Sequence, residues 1–476
     1  MKWYKERMWT DCWAGLDNKK KKGKDIVEAV KDLSVVDNAA DIERTAKTNK
    51  NVDVIKEFAA GNAKKESNFV VVGHVDAGKS TLMGRLLYDL KVVDERTIQK
   101  FKSESEKIGK ASFQYAWVLD QTEEERARGV TMDIAQNSFE TDKAKFTILD
   151  APGHRDFIPN MIAGSSQADF AVLVIDSSTG AFEAGFHLQG QTKEHTLLVR
   201  SIGIQRIIVA VNKLDSVSWA EERFEEIRQQ MTVFLTSAGF HAKNISFVPC
   251  SGLTGENVVT PLKPSKAPWY KGSSLITELE NSSPLARAID KPLRLTVADV
   301  FRGGIQNPVS ISGRIDSGTL QVGDVLLALP SGEKTAVKAI EINNDPRPWA
   351  VAGHNCTIHL AGIDMLHLKQ GDVLSSVSNP IPVVKEFTAK VLAFQTITPM
   401  AVDIHRGRLH VPGKITHLVR TLDKATGEEV KKKPRFIGPG TAAQVKVSLE
   451  QGVPLERGGR VVFRFGGVTV GSGVVE

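Results

Sequence analysis

The chain has 476 residues, too many for one core, and about 150 residues per domain predicts roughly three domains. With 41% hydrophobic and 25% charged residues, no apolar run of about 18 residues and no apolar secretory stretch after Met1, the composition argues against a disordered, membrane-spanning or exported protein. Three scattered cysteines (Cys12, Cys250, Cys356) argue against a disulfide or zinc scaffold and favour a reducing compartment, while a net charge of +6 is spread unevenly.

Residues 1–67 hold 15 Lys and Arg against 12 Asp and Glu, residues 384–476 hold 15 against 8, and the stretch between them is net acidic. Basic ends fit either a solubilising surface or a polyanion met at the ends. The first 67 residues are polar and lack sustained periodicity, and they read as a flexible basic arm with one or two short helices. Trp3, Trp9 and Trp13 precede a lysine run (Lys19 to Lys22, then Lys24) that fits a solvated tract or an RNA contact.

From 68 to 288 short apolar runs alternate with helical patterns. Phe69–Val72, Phe146–Leu149, Phe170–Ile175, Ile207–Val211 and Ile245–Val248 are apolar on both faces, as strands of a buried parallel sheet are. Between the last two, Ser218 and Glu221 predict a capping box. Phe224, Ile227, Met231, Phe234 and Leu235 form one helical face, and Gly239 ends the helix. The fold class expected is an α/β P-loop domain, doubly wound around a mostly parallel sheet, with ligands at the carboxyl ends of its strands. Beyond about 290 the helical patterns stop. Short strands punctuated by turns such as Ser331-Gly332 and Gly458-Gly459 predict two antiparallel β-barrels, over 289–382 and 383–476, parted at Pro380–Pro382.

The chemistry lies in four loops at strand ends. Gly73-His74-Val75-Asp76-Ala77-Gly78-Lys79-Ser80, followed by Thr81, has the spacing G-x-x-x-x-G-K-[ST] between a strand and a helix. Its glycines let backbone N–H groups wrap phosphates, Lys79 reaches the β/γ oxygens and Ser80 can hold Mg²⁺. A glycine-rich turn without a ligand leaves the Lys-Ser pair unexplained. Asp150 ends a second strand and can hold the Mg²⁺ shell, while the Gly153 N–H can meet a γ-phosphate. Thr131, in the polar segment Arg128-Gly-Val-Thr131, is a candidate second Mg²⁺ ligand. Asn212-Lys213-Leu214-Asp215 offers a carboxylate for N1–H and the 2-amino group of guanine, a donor pair that adenine lacks, so Asp215 argues against an ATP-dependent enzyme. Ser251-Gly252-Leu253 would close over the base with backbone groups. Together the loops predict a guanine-nucleotide switch.

These residues resemble the translational GTPases, in particular the group of elongation factor 1-alpha and the eukaryotic release-factor GTPase. The motifs Gly73–Thr81, Ala127–Met132, Asp150–Phe157 and Asn212–Asp215 carry the likeness, which runs from about 66 to 476. Ala111–Asp120, Gly129–Asp133 and Gly252–Asn257 are most similar to the ribosome-rescue GTPases that partner Pelota. The resemblance implies two trailing barrels, GTP/GDP with Mg²⁺, His154 as the water-orienting residue, and Val75 with Val130 as an apolar gate that holds His154 back. It further implies a cytoplasmic protein without membrane attachment, monomeric before it binds a Pelota-like release-factor paralogue and the ribosome, with ribosomal RNA contact. It would deliver that partner to stalled ribosomes. An elongation factor delivering aminoacyl-tRNA, a release-factor GTPase, and a non-hydrolysing adaptor between ribosome and RNA decay remain alternatives.

Overall fold

The computed structural model describes residues 39–48, 51–60, 64–107, 109, 113–120, 123–128, 131, 133–186, 190–282, 287–304, 309–424 and 426–476. The early tryptophans, the lysine run, Cys12 and Val130 lie outside the described residues.

Helices α1 (residues 39–46) and α2 (Val54–Ala60) precede the first strand. Strand β1 spans Lys65–Gly73, so it begins inside the segment read as an arm. It is followed by α3 (Lys79–Asp89), α4 (Glu95–Lys107), α5 (Glu123–Arg128), β2 (Ala135–Glu140) and β3 (Ala144–Asp150). Then come α6 (Ile158–Ser165), β4 (Phe170–Asp176), α7 (Ala181–Phe186), α8 (Gln191–Ile202), β5 (Ile207–Asn212), α9 (Glu221–Ser237), β6 (Ile245–Pro249) and α10 (Leu275–Asn281). The sheet runs β2-β3-β1-β4-β5-β6, all parallel except β2.

The period of two splits each central strand between two cores. Val70, Val72, Leu173, Ile175, Val209 and Val211 face α6, α8 and α9. Phe69, Val71, Val172, Val174, Ile208 and Ala210 face α3 and α10, with Phe69 stacked on Phe170 at 5.5 Å. Both faces are therefore dry, and the continuous apolar runs are explained. Strand β2 was not among the expected strands. It is a half-solvated edge strand with only Ala135 and Phe139 buried, and its remaining residues are polar.

Two closed barrels follow. In the first, strands Val325–Leu329, Val373–Ser376, Arg294–Phe301, Val309–Ser317, Asn355–Ala361 and Glu333–Ile342 pair in that ring order, and the last closes on the first. In the second the ring is Met400–Arg406, Arg460–Phe465, Val468–Val475, Val383–Ala393, Ala442–Pro454 and Leu409–Leu422. Closure leaves no open sheet edge in either ring.

Ion pairs and hydrogen bonds join the three bodies. Arg314 reaches from the first barrel to Asp169 (2.6 Å) and to the Gln167 carbonyl (2.5 Å) of the α/β domain. Arg294 grips Glu456 of the second barrel through two 3.0 Å bonds. Thr469 donates to Glu194 of α8 at 3.0 Å. The segment carrying α2 is docked on the first barrel. Val54 is buried, Glu57 accepts from Trp349 Nε1 at 2.6 Å, and Phe58 lies between Trp349 and His354 with the Arg287 guanidinium 5.7 Å from its ring.

Candidate functional site

All the loops singled out from sequence leave the same edge of the sheet, because β1, β3, β4, β5 and β6 run parallel and end level. Val71 pairs with Asp150, Gly73 with Val174, Asp176 with Asn212 and Val211 with Pro249. Glycine is required where the loops crowd. At Gly73 (φ 150°) a Cβ would sit 2.3 Å from the Val174 carbonyl oxygen, and at Gly78 (φ 87°) it would sit 2.6 Å from Asn212 Nδ2. Gly78 is also the N-cap of α3, and no side chain caps that helix. The first-turn N–H groups are thus left for an anion.

Lys79 is buried beneath this loop and donates to the His74 carbonyl at 2.8 Å. Burial lowers its pKa, opposed by the nearby Asp150 and Asp76 carboxylates. A Cβ at Gly153 would stand 2.4 Å from Lys79 Nζ, so the glycine lets the loop after β3 lie directly on the lysine head without displacing it. Asp76 is exposed with φ 60°, Ala77 is buried, and Thr81 lies in the first turn of α3.

Ser80 Oγ donates to Asp150 Oδ2 (2.6 Å) and lies 3.1 Å from Thr131 Oγ1, which in turn donates to Asp120 Oδ1 at 3.3 Å. The three candidate metal ligands, 70 residues apart at the extremes, are brought into one cluster. Asp120 was not among the candidate site residues. Burial, then the negative Asp150 and Glu125, push its carboxyl up to about 7, and burial pushes Asp150 up to about 6. Both carboxyls are raised above their unfolded values, so the folded, nucleotide-free protein holds more protons than the unfolded chain between those values. These two groups add a contribution to stability that is complete near about pH 4 and is lost as pH rises toward about 7, while the buried His195, His354 and His405, whose pKa values burial lowers to about 3, contribute in the opposite sense. Thermal unfolding of the protein and of Asp120→Asn side by side checks this, the variant gaining stability relative to the parent as pH rises across that window.

At the other end of the site, Asn212 ties two loops together. Its Nδ2 donates to the Ala77 carbonyl at 2.9 Å, and its Oδ1 accepts from the Gly252 N–H at 2.8 Å. Lys213 (φ 61°) donates to the Asp76 carbonyl (2.6 Å) and to Asp176 Oδ2 (2.7 Å). Asp215 Oδ1 is buried with no hydrogen-bond partner. Ser251 is buried and accepts from the Thr254 N–H. Gly252 sits against Leu82, whose Cα would be 2.9 Å from a Cβ there, and Leu253 is exposed.

The expected capping box before α9 is absent. Ala220 is the N-cap, without a side-chain bond, and Ser218 and Trp219 both have positive φ. The turn serves the Asn212–Asp215 loop instead. The Ser218 and Trp219 N–H groups bond back to the Asp215 and Leu214 carbonyls, and the Trp219 ring is buried. The helical face and its end at Gly239 are as expected from sequence.

A cavity over the loop is lined by Val75, Gly78, Lys79, Ser80, Thr131 and His154, among others. The His154 side chain is 46% exposed and its Nδ1 accepts from the Asp156 N–H at 3.3 Å. The Val75 N–H is held by Gln191 Oε1 at 3.3 Å. Asp176 and Gln191 are site residues that sequence reasoning missed. A carboxylate closing the parallel strand β4 was a usable signal for Asp176, whereas Gln191 shows none.

A model described as the elongation factor Tu GTP binding domain matches residues 64–295, the elongation factor Tu domain 2 model matches 309–375, and a model of the elongation factor 1-alpha carboxyl-terminal domain matches 386–476. Elongation factor 1-alpha of Thermofilum pendens is 40% identical over 87% of this chain and 97% of its own length. The chain belongs to the elongation factor Tu and 1-alpha family of translational GTPases. Among its relatives in that family is Protein HBS1 of Drosophila melanogaster, 43% identical over 90% of this chain, of whose length the chain spans 65%. The GTPase-like domain of S. cerevisiae Ski7, solved bound to GTP, has the same fold, with a TM-score of 0.72 at 18% identity over 90% of this chain and 100% of that one. No helix among the described residues is long and apolar enough to cross a membrane.

Proposed function

We propose that this translational GTPase carries a Pelota-like decoding protein to the A site of stalled ribosomes and releases it on hydrolysing GTP there. The observation that carries this reading is the 43% identity with Protein HBS1, joined to the segments Ala111–Asp120 and Gly252–Asn257 that resemble rescue factors. The geometry supports a hydrolysing enzyme over a degenerate adaptor, since all the nucleotide loops are intact and converge.

In this reading the backbone from Gly73 to Gly78 and the open first turn of α3, with Ser80 and Thr81, wrap the phosphates. Lys79 leaves the His74 carbonyl for the β/γ oxygens. Asn212 holds the loop and base-binding segments in register, Lys213 flanks the base, and Asp215 accepts from guanine. The orphaned Asp215 Oδ1 is what a site awaiting two N–H donors should show. The Ser251-Gly252-Leu253 backbone closes over the base edge.

The oxygen donors of Ser80, Thr131 and Asp150 suit Mg²⁺, and the unpartnered, buried Asp150 Oδ1 fits a cation there. Bound Mg²⁺ would neutralise charge between the β- and γ-phosphates. His154 then orients the attacking water, and the Gly153 N–H meets the γ-phosphate. Because Thr131 stands in the segment between α5 and β2, γ-phosphate binding would set that segment and, through it, the partner-binding surface. Val75, which lines the same cavity as His154, would form one side of an apolar gate.

The 40% identity with elongation factor 1-alpha favours a second reading, delivery of aminoacyl-tRNA. Incubating the protein, loaded with a non-hydrolysable GTP analogue, with a Pelota-like protein, a release factor and aminoacyl-tRNA in separate arms decides between them. Retention of the Pelota-like protein is expected, and retention of aminoacyl-tRNA alone would overturn the rescue assignment.

A further inference from the structure

A hollow of about 440 Å³ opens where the α/β domain and both barrels meet, and it shares no lining residue with the nucleotide loops. Its volume is in the range of small-ligand sites, which run from about 300 to 1,000 Å³. The end of α6 at Ser166, the first barrel at Arg314 and Asp316, and the second barrel at Arg406, Arg408 and Arg460 form its walls. An adjoining hollow of about 310 Å³ shares Ser166, Arg314, Asp316 and Arg460 and continues to Arg287.

The charges in this junction do not balance. Arg314 is matched by Asp169 at 2.6 Å, and the Asp316 carboxylate accepts from the Thr296 hydroxyl at 2.5 Å. Arg406 donates to the Pro454 carbonyl (3.2 Å) and Arg460 to the Ser201 carbonyl (3.3 Å), and Arg408 Nε is buried without an acceptor. Among the described residues none of these three guanidiniums has a carboxylate within ion-pair distance. Arg406 and Arg408 are half-buried and Arg460 is exposed, and even with the Asp316 carboxylate in the same wall the hollow keeps a surplus of positive charge that an anion would offset. Guanidinium forks match phosphate oxygens in pairs, which a carbonyl partner does not exploit. Gly407, with φ 57°, lets the Arg406–Arg408 turn press to within 3.2 Å of Ser166 Oγ, counted from the position of a Cβ. The arginines are thereby held against the α/β domain.

We propose that this three-domain junction binds a small anion bearing two or more phosphate groups, held by Arg406, Arg408 and Arg460. A ligand there touches all three bodies at once, so its binding favours this arrangement of the domains without contacting the nucleotide.

The test uses the full chain saturated with GDP and Mg²⁺, which blocks the loop after β1, and titrates inorganic tripolyphosphate calorimetrically. One saturable site per chain is expected, weakened about tenfold or more by Arg406→Gln with Arg408→Gln. Lys431→Gln with Lys432→Gln, in an exposed strand of the same barrel, should leave it unchanged. GDP affinity equal to that of the unmodified protein verifies folding, and Arg460→Gln alone replaces the double variant if the latter fails this check. Absence of saturable heat, unchanged affinity in the arginine variants, or equal loss in the lysine variant would overturn the proposal. A short RNA duplex that binds through these arginines while tripolyphosphate does not would overturn it as well.

Discussion

A His154→Ala protein is expected to bind GTP with near-normal affinity yet lose GTP hydrolysis by about a hundredfold or more, the range of a positioned acid–base group. The side chain stands on the loop after β3, 46% exposed at the rim of the cavity that Lys79, Ser80 and Thr131 line, and it carries no part of the core. Among the described residues its Nδ1 meets only the neighbouring Asp156, so no contact from the core fixes the ring. Removing the ring costs no buried packing and leaves the backbone of the loop after β1 untouched. The loss should therefore fall on the single-turnover rate constant and spare the dissociation constant of a GTP analogue. Full turnover in the variant would remove His154 from the mechanism.

Asp215→Asn should have the opposite profile, an effect on base recognition with little on stability. The carboxylate oxygen that would accept from guanine is buried and unpartnered, so the amide replaces an acceptor that has no donor in the free protein. In the complex the amide turns a donor toward the 2-amino donor of guanine. A site built on paired hydrogen bonds rejects such a mismatch steeply, and GTP affinity is expected to fall about a thousandfold or more. Xanthine carries an oxygen at that position, so XTP should bind the variant better than GTP does. Competition of the two nucleotides against a labelled GDP analogue measures both, and an unaltered preference for GTP would show that Asp215 does not read the base.

The nucleotide loops were legible because a strand buried on both faces writes its apolar character into four to six consecutive residues. Phe170–Ile175 and Ile207–Val211 needed no partner to be recognised. The residue after such a run is at a strand end, and this alone locates Asp150 and Asn212 at the carboxyl edge of the sheet. The half-solvated β2 was not legible, since one solvated face reduces its signal to Ala135 and Phe139. The capping box failed for a different reason: Ser218 and Glu221 have the right spacing, but burial of Trp219 claims the turn. A local pattern lost to a tertiary contact.

By itself, then, the sequence determined the α/β-then-barrel order and the identity of the loops, because periodicity, glycine placement and the Lys79-Ser80 pair are local properties. Only the tertiary structure decided what those loops meet. Asp120 joins Thr131 and Ser80, Gly252 must be glycine because Leu82 passes beside it, and α2 docks its Phe58 against Trp349 of a barrel far along the chain. The Arg406, Arg408 and Arg460 junction belongs to the same class. Each arginine taken singly is a surface cation, and their shared hollow exists only after three separately closed cores pack against one another. Contacts of this kind depend on how completed domains fit together, which no short window of residues encodes.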